Sequence, residues 1–303
     1  MNKQVSNQTS RSTITTKVLH RTATVEGLSI FYREAGDPDN PKLLLLHGYP
    51  SSSHQYRNLI FALSDRFHIV APDYPGFGNS DMPSPDKFAY TFDKISEIIE
   101  NFLKKIDFTH FGLYMQDYGG PVGFRIISLH PDWLEWLVIQ NANAYEAGFT
   151  SAWDGLNSLW KNKTPDTEKP LYGFMQLDVI KQIYLHGHKN PELISPDNWN
   201  MDYRFMERPN AQRVQMDLFY DYRNNIALYP KWQRFLREYK PKTLIFWGQN
   251  DIFFTPDGGE GYLKDISDAE IHRLNSGHFV AEDCLEEIVT NMQRFYLEKI
   301  VQG

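Results

Sequence analysis

The chain has 303 residues, 41% of them hydrophobic, enough to bury one large core and an inserted subdomain. Its 31 basic and 38 acidic residues leave a formal net charge of −7 with the two signs interspersed, which excludes the extended positive surface that nucleic acid requires. The single cysteine, Cys284, rules out an intrachain disulfide and reads as a buried helix residue, and no segment reaches the roughly 18 uninterrupted apolar residues of a membrane helix.

Residues 1–16 are polar, contain no apolar signal-peptide core, and read as a flexible tail, so the expected compartment is the cytoplasm. Residues 17–35 alternate apolar and polar side chains around Glu26-Gly27, as two antiparallel strands joined by a tight turn would. From there the pattern changes. KLLLLHG, FHIVAPDYPG, HFGLYMQD, EWLVIQN and KTLIFWGQND are short apolar runs that end in Gly, Asn or Asp. Helical spacings lie between most of them, near 54–63, near 91–106 and from Gly119 onward. This rhythm predicts a mostly parallel α/β sheet flanked by helices. Residues 142–238 interrupt it: they hold no strand-like run but carry Trp153, Trp160, Tyr172, Tyr184, Trp199, Tyr222 and Trp232. They are expected to form a helical cap inserted into a core made of 17–141 and 239–303. The strand-and-helix rhythm resumes at Lys242 with KTLIFWGQND, followed by a second strand, AEIHRL, and one final helix is expected near 281–297.

The sharpest chemical feature is HFGLYMQDYGGPVGFRI, a buried strand running into Asp117, an aromatic, two glycines and a helix. A residue on so sharp a strand-to-helix turn needs small neighbours, here Gly119 and Gly120, and sits where a helix N-terminus favours negative charge. His47-Gly48-Tyr49-Pro50, after an earlier strand, is placed to lend the Tyr49 N–H to an oxyanion hole shared with the N–H of Tyr118. Asp251 ends a later strand and His278 follows the last one, which gives the order nucleophile, acid, histidine. The expected catalytic set is Asp117, His278 and Asp251.

Together, HGYP, PDYPGFGNSD, QDYGGPVG, WGQND and SGHF make the chain resemble the Asp-nucleophile branch of the α/β-hydrolase superfamily, which includes epoxide hydrolases, haloalkane dehalogenases and fluoroacetate dehalogenases. The resemblance covers nearly everything after residue 17, and it implies an α/β-hydrolase fold and a cis Tyr49-Pro50 bond. A carboxylate suits displacement at saturated carbon, leaving an alkyl ester that His278 and water would then cleave. The branch members differ in how they hold the leaving atom. The Trp and Trp or Asn with which haloalkane dehalogenases grip halide are Tyr118 and Tyr49 here, and the arginines that follow the nucleophile in fluoroacetate dehalogenases are missing. Epoxide hydrolases use cap tyrosines as acids, and FYDYRNN supplies Tyr222 in a Tyr-Arg pair. A second tyrosine would be Tyr172, with Tyr184 as its competitor.

The resemblance therefore implies epoxide hydrolysis to a vicinal diol, with carbon–halogen hydrolysis as the alternative and ligand binding with little turnover as a second one. An ordinary serine esterase is disfavoured by the missing serine. The implied substrate is small and mainly apolar, with no nucleic-acid or membrane partner, and the chain acts as a monomer or homodimer. No cofactor or metal is implied. His186-Gly187-His188 lacks a third ligand cluster and reads as a polar cap turn, and Asp73 and His54 read as loop hydrogen-bonding residues.

Overall fold

The computed structural model describes residues 17–303, so the tail expected at 1–16 lies outside the described residues. The first two strands, β1 (Val18–Val25) and β2 (Leu28–Ala35), form the anticipated hairpin. Its two-residue turn has Glu26 and Gly27 both at positive φ, 49° and 84°, the geometry that matches strand twist in a tight hairpin. The five apolar runs become β3 (Lys42–Leu46), β4 (His68–Pro72), β5 (Phe111–Gln116), β6 (Leu134–Gln140) and β7 (Thr243–Gly248), and AEIHRL supplies β8 (Glu270–Leu274). They make one eight-stranded sheet of order β1-β2-β4-β3-β5-β6-β7-β8, antiparallel in the first two pairings and parallel thereafter.

Period-two alternation on these strands feeds two separate apolar layers, because both faces of a parallel sheet are covered. Leu44, Leu46, Leu113, Met115 and Ile139 face one layer, and Leu43, Leu45, Tyr114, Val138 and Phe246 face the other. On the first side pack α2 (Phe92–Lys105) and α3 (Gly119–Leu129), and on the second α1 (Arg57–Leu63). The parallel strands end on one edge of the sheet, the edge at which open α/β folds gather their ligand-binding groups.

Between β6 and β7 the chain contributes no strand to the sheet and instead forms α4 (Asp154–Lys161), α5 (Pro165–Glu168), α6 (Leu177–Leu185), α7 (Asp197–Met206), α8 (Ala211–Asp221) and α9 (Arg223–Tyr239). The last two abut, with Tyr222 as the single residue between them. Asp221 anchors this junction to the core: its Oδ2 accepts the Phe92 N–H at the start of α2 at 2.8 Å.

After β7 come α10 (Pro256–Tyr262) and, past β8, a C-terminal helix that differs from the single span expected. It is divided into α11 (Val280–Asp283) and α12 (Leu285–Phe295), and Cys284 sits at the break, only half-buried. Asp283 turns back to Ser276 Oγ at 2.6 Å and His188 Nδ1 at 3.0 Å, and the helix is interrupted at the next residue. Cys284 is therefore not the buried mid-helix residue the sequence suggested, although burial still pushes its thiol up to about 12, with Asp283 adding to the effect. No helix among the described residues is long and apolar enough to cross a membrane.

Candidate active site

Asp117 occupies the turn between β5 and α3 with φ of 49°, a left-handed conformation rarely adopted by a residue with a side chain. The turn closes only because its neighbours are small. A Cβ on Gly119 would lie 2.1 Å from the Leu46 carbonyl oxygen, and one on Gly48 would lie 2.4 Å from Asp117 Cβ. Gly48 belongs to the loop after β3, whose Tyr49-Pro50 bond is cis. That loop brings the Tyr49 N–H to Asp117 Oδ1 at 2.7 Å, and the Tyr118 N–H also bonds the carboxylate. Burial pushes the Asp117 carboxyl up to about 6, while His278 and the two N–H groups pull it down.

His278 follows β8, and its Nδ1 meets Asp251 Oδ2 at 2.7 Å. Both side chains are almost completely buried. Burial works against charging the imidazole, but the carboxylates of Asp251 and Asp117 outweigh it and raise His278 above its ordinary value. Asp251 is itself held on both oxygens: Oδ1 accepts the Phe253 N–H at 2.8 Å, and Oδ2 accepts Asn141 Nδ2 at 2.8 Å. Asn141 closes a small circuit at the sheet edge. Its Oδ1 takes the Gly248 N–H at 2.9 Å and its backbone oxygen takes the Asp117 N–H at 3.2 Å, so one residue ties β5, β6 and β7 together beneath the site.

Above Asp117 and His278 lies a cavity of about 60 Å³, small on a scale where one water needs ~10–15 Å³. Its walls are mostly apolar: Ala152, Leu156, Phe174, Ile183, Phe219 and Phe254. Tyr49, Tyr118, Trp153 and Tyr222 also line it, but two of their polar groups are engaged elsewhere. The Tyr49 hydroxyl donates to the Phe174 carbonyl at 2.8 Å, and the Trp153 indole N–H donates to the Phe253 carbonyl at 2.7 Å. The Tyr222 hydroxyl is buried and, among the described residues, has no hydrogen-bond partner. Tyr229 is near enough to perturb it, yet the two hydroxyls do not meet in hydrogen-bond geometry, and that of Tyr229 is unpartnered too. Burial, and then the neighbouring Tyr229 and Asp117, holds the Tyr222 phenol well above its ordinary pKa.

The fold thus gathers Asp117, His278, Asp251, Tyr49, Tyr118 and Tyr222, and leaves Tyr172 out. Tyr172 is half-buried and does not line the cavity. It lies in a 3₁₀ segment, Lys169–Met175, where residues three apart share a face. Buried Leu171 and cavity-lining Phe174 share one face, whereas Tyr172 shares its face with buried Met175 and packs its partly buried ring against the core outside the cavity. Its competitor Tyr184 is committed elsewhere, donating to Asp202 Oδ2 at 2.6 Å. His188 is paired with Asp283 and Ser276, and among the described residues no group of three or more His, Cys, Asp or Glu could hold a metal ion. Asp73 receives the N–H groups of Ser53 and Asn79, each at 2.8 Å, as a loop organiser.

Asn141 and Gln116 are the participants that reading the sequence missed. Gln116 Nε2 lies 2.8 Å from His278 Nε2. The available signals were positional: Asn141 ends a buried strand flanked by the strands of Asp117 and Asp251, and Gln116 is a fully buried amide next to Asp117.

Residues 41–283 match the family model for the alpha/beta hydrolase fold, and the chain belongs to that family of hydrolases. It is 37% identical over 284 residues to the uncharacterized hydrolase YNR064C of Saccharomyces cerevisiae, covering 92% of this chain and 97% of that one. It is 28% identical over 257 residues to haloalkane dehalogenase 2 of Mycobacterium tuberculosis, covering 82% and 85%. Among solved structures it resembles the epoxide hydrolase CorEH without ligand, with a TM-score of 0.76 at 20% identity over 93% of this chain and 99% of that one.

Proposed function

We infer that this hydrolase opens small epoxides to vicinal diols through an alkyl ester on Asp117. The observation that carries the reading is the Tyr222 hydroxyl, a buried donor without a partner in the wall of the cavity that Asp117 also lines. Segment 142–238 serves as the cap that supplies it. A phenol held above its ordinary pKa stays protonated at neutral pH, so it can bond the oxirane oxygen and release its proton as the alkoxide forms. The Asp117 oxygen held by the Tyr49 N–H becomes the ester carbonyl oxygen, and the other attacks carbon. His278, backed by Asp251, then takes a proton from water, and the N–H groups of Tyr49 and Tyr118 stabilise the oxyanion.

Kinship to a haloalkane dehalogenase keeps carbon–halogen hydrolysis in view. The cavity favours the epoxide, since the indole N–H of Trp153, a natural halide donor, is spent on Phe253. A chain with one cysteine and no disulfide suits the cytoplasm.

Single turnover of a small epoxide in ¹⁸O-water tests the route. Label is expected in Asp117 and not in the diol, because water attacks the carbonyl carbon of the ester. Label appearing directly in the diol overturns the covalent route, and halide release from a haloalkane faster than epoxide opening reassigns the reaction.

A further inference from the structure

The resting site poses an electrostatic problem. Two carboxylates, Asp251 against Nδ1 and Asp117 across the cavity, favour the imidazolium form of His278, and an imidazolium cannot act as a base. The other elements packed against the ring contribute Phe253, Phe254 and Phe279, which carry no charge. The remaining polar contact is the side-chain amide of Gln116 at Nε2.

Which end of that amide faces the ring follows from a chain of contacts with a fixed start. The backbone N–H of Gly48 can only donate, and it meets Gln55 Oε1 at 3.2 Å. That turns Gln55 Nε2 toward Gln116 Oε1, at 3.3 Å. Gln116 must then present its NH₂ group to His278 Nε2, at 2.8 Å. Reversing Gln55 would set donor against donor at the Gly48 N–H, which cannot rotate, and reversing Gln116 would set its NH₂ group against that of Gln55. The imidazole at the end of this chain must offer a lone pair at Nε2, with its single proton on Nδ1 facing Asp251.

We propose that Gln116, oriented through Gln55 by the Gly48 N–H, is a positioning residue that keeps His278 neutral and unprotonated at Nε2 until the ester has formed. An imidazolium would aim its Nε2–H at the amide's own N–H, so the contact opposes the proton that the carboxylates invite. The hydrolytic water must later take the amide's place at Nε2. The start of the chain is adjacent to Tyr49, whose N–H holds Asp117, so one loop sets both the nucleophile and, two side chains away, the protonation of the base.

The proposal rests on His278 being the base of the proposed reaction, and its primary test needs no substrate. ¹⁵N NMR of the full-length wild-type chain should show Nε2 of His278 unprotonated and Nδ1 protonated at neutral pH. Gln116→Met, nearly equal in volume, should raise the His278 pKa by about one unit, the effect of losing one hydrogen bond to the neutral form. Gln55→Met, which frees the Gln116 amide to turn, should move it in the same direction by less, and it serves as the second variant if the first does not fold. In stopped-flow measurements the pH limb of ester hydrolysis should move with the imidazole while ester formation keeps its profile. A proton found on Nε2 of the wild type at neutral pH, or a His278 titration unmoved in both variants, overturns the proposal. If instead ¹⁸O enters the diol directly, the covalent reading falls while the NMR result stands.

Discussion

Asn141 Nδ2 and His278 Nδ1 converge on the same oxygen of Asp251, at 2.8 Å and 2.7 Å. The Asp251 carboxylate is therefore held from the end of a neighbouring strand as well as by the histidine. Asn141→Ala removes a hydrogen bond to a charged group and orphans the Gly248 N–H. Turnover should fall about ten- to hundredfold, and stability by about 1–3 kcal/mol. Steady-state kinetics beside chemical denaturation check this, and a variant with wild-type turnover would show that Asp251 needs no such support.

Separating the two halves of the proposed reaction is possible at His278. His278→Gln should still allow Asp117 to attack but should leave the ester without a base. Intact-protein mass spectrometry after mixing with an epoxide is expected to show a gain equal to one substrate, and Asp117→Asn should show none. An unmodified His278→Gln protein that still makes diol would contradict the assignment.

Removing the Tyr222 hydroxyl tests the acid. Tyr222→Phe keeps the ring that packs 4.9 Å from Trp153 and 5.7 Å from Phe92, so the wall should survive. Ester formation should slow on the order of 10²-fold, as for other single donors to a developing oxyanion. Tyr172→Phe should leave the rate within twofold in the same stopped-flow assay, since that ring does not line the cavity.

The pH dependence of ester formation follows from Asp117. Burial raises its carboxyl to about 6, and only the ionised form attacks. The rate should be full well above pH 6 and should fall about tenfold for each unit below it. Single-turnover rates between pH 5 and 8 check the direction, and a profile flat down to pH 5 would contradict it.

His188 and Asp283 form a second buried pair that fastens the turn after α6 to the end of α11, and Asp283 also accepts from Ser276 in the loop before His278. Burial raises the Asp283 carboxyl, but His188 and Ser276 more than offset this, and the net value lies below the ordinary one. A depressed carboxyl contributes stability that is present above its unfolded value and is lost as pH falls through its folded value. The wild type should therefore lose stability in acid through this pair, and Asp283→Ala should have lost it already. At neutral pH that variant should be less stable by about 1–3 kcal/mol, the usual effect of leaving buried polar groups without their partner. Urea denaturation at neutral and acidic pH measures both.

Local pattern made much of this fold legible. The inner strands of the parallel sheet, β3 to β7, stood out as apolar runs, because such strands are buried on both faces, whereas the edge strand β8 is only partly buried and mixes polar with apolar residues. Asp117 was readable because its turn demands glycines at fixed offsets, and Tyr222 because a neighbouring arginine marks the spot. Arg223 stacks on Tyr220, 3.5 Å from the ring centroid, and fixes the junction of α8 and α9. Tyr172 lies outside the cavity lining because its segment turns Phe174 to the cavity and Tyr172, with Met175, to the neighbouring core, a choice that spacing alone does not announce. Gln116 and Asn141 stayed hidden for a related reason. A buried amide takes its role from strands that are neighbours in space but distant in sequence, and nothing within a few residues announces it.

The insertion's share of the cavity wall is drawn from two stretches of chain with different attachments. Ala152, Leu156, Phe174 and Ile183 come from the early part of the insertion and meet the cavity through apolar atoms alone, apart from the Phe174 carbonyl that anchors Tyr49. Tyr222 comes from a junction that Asp221 clamps to the start of α2. Substitutions in the first stretch can widen or narrow the chamber without displacing the proton donor. Under the proposed reaction the size of the chamber can change apart from the chemistry, and a library aimed at bulkier molecules belongs at positions 152, 156 and 183.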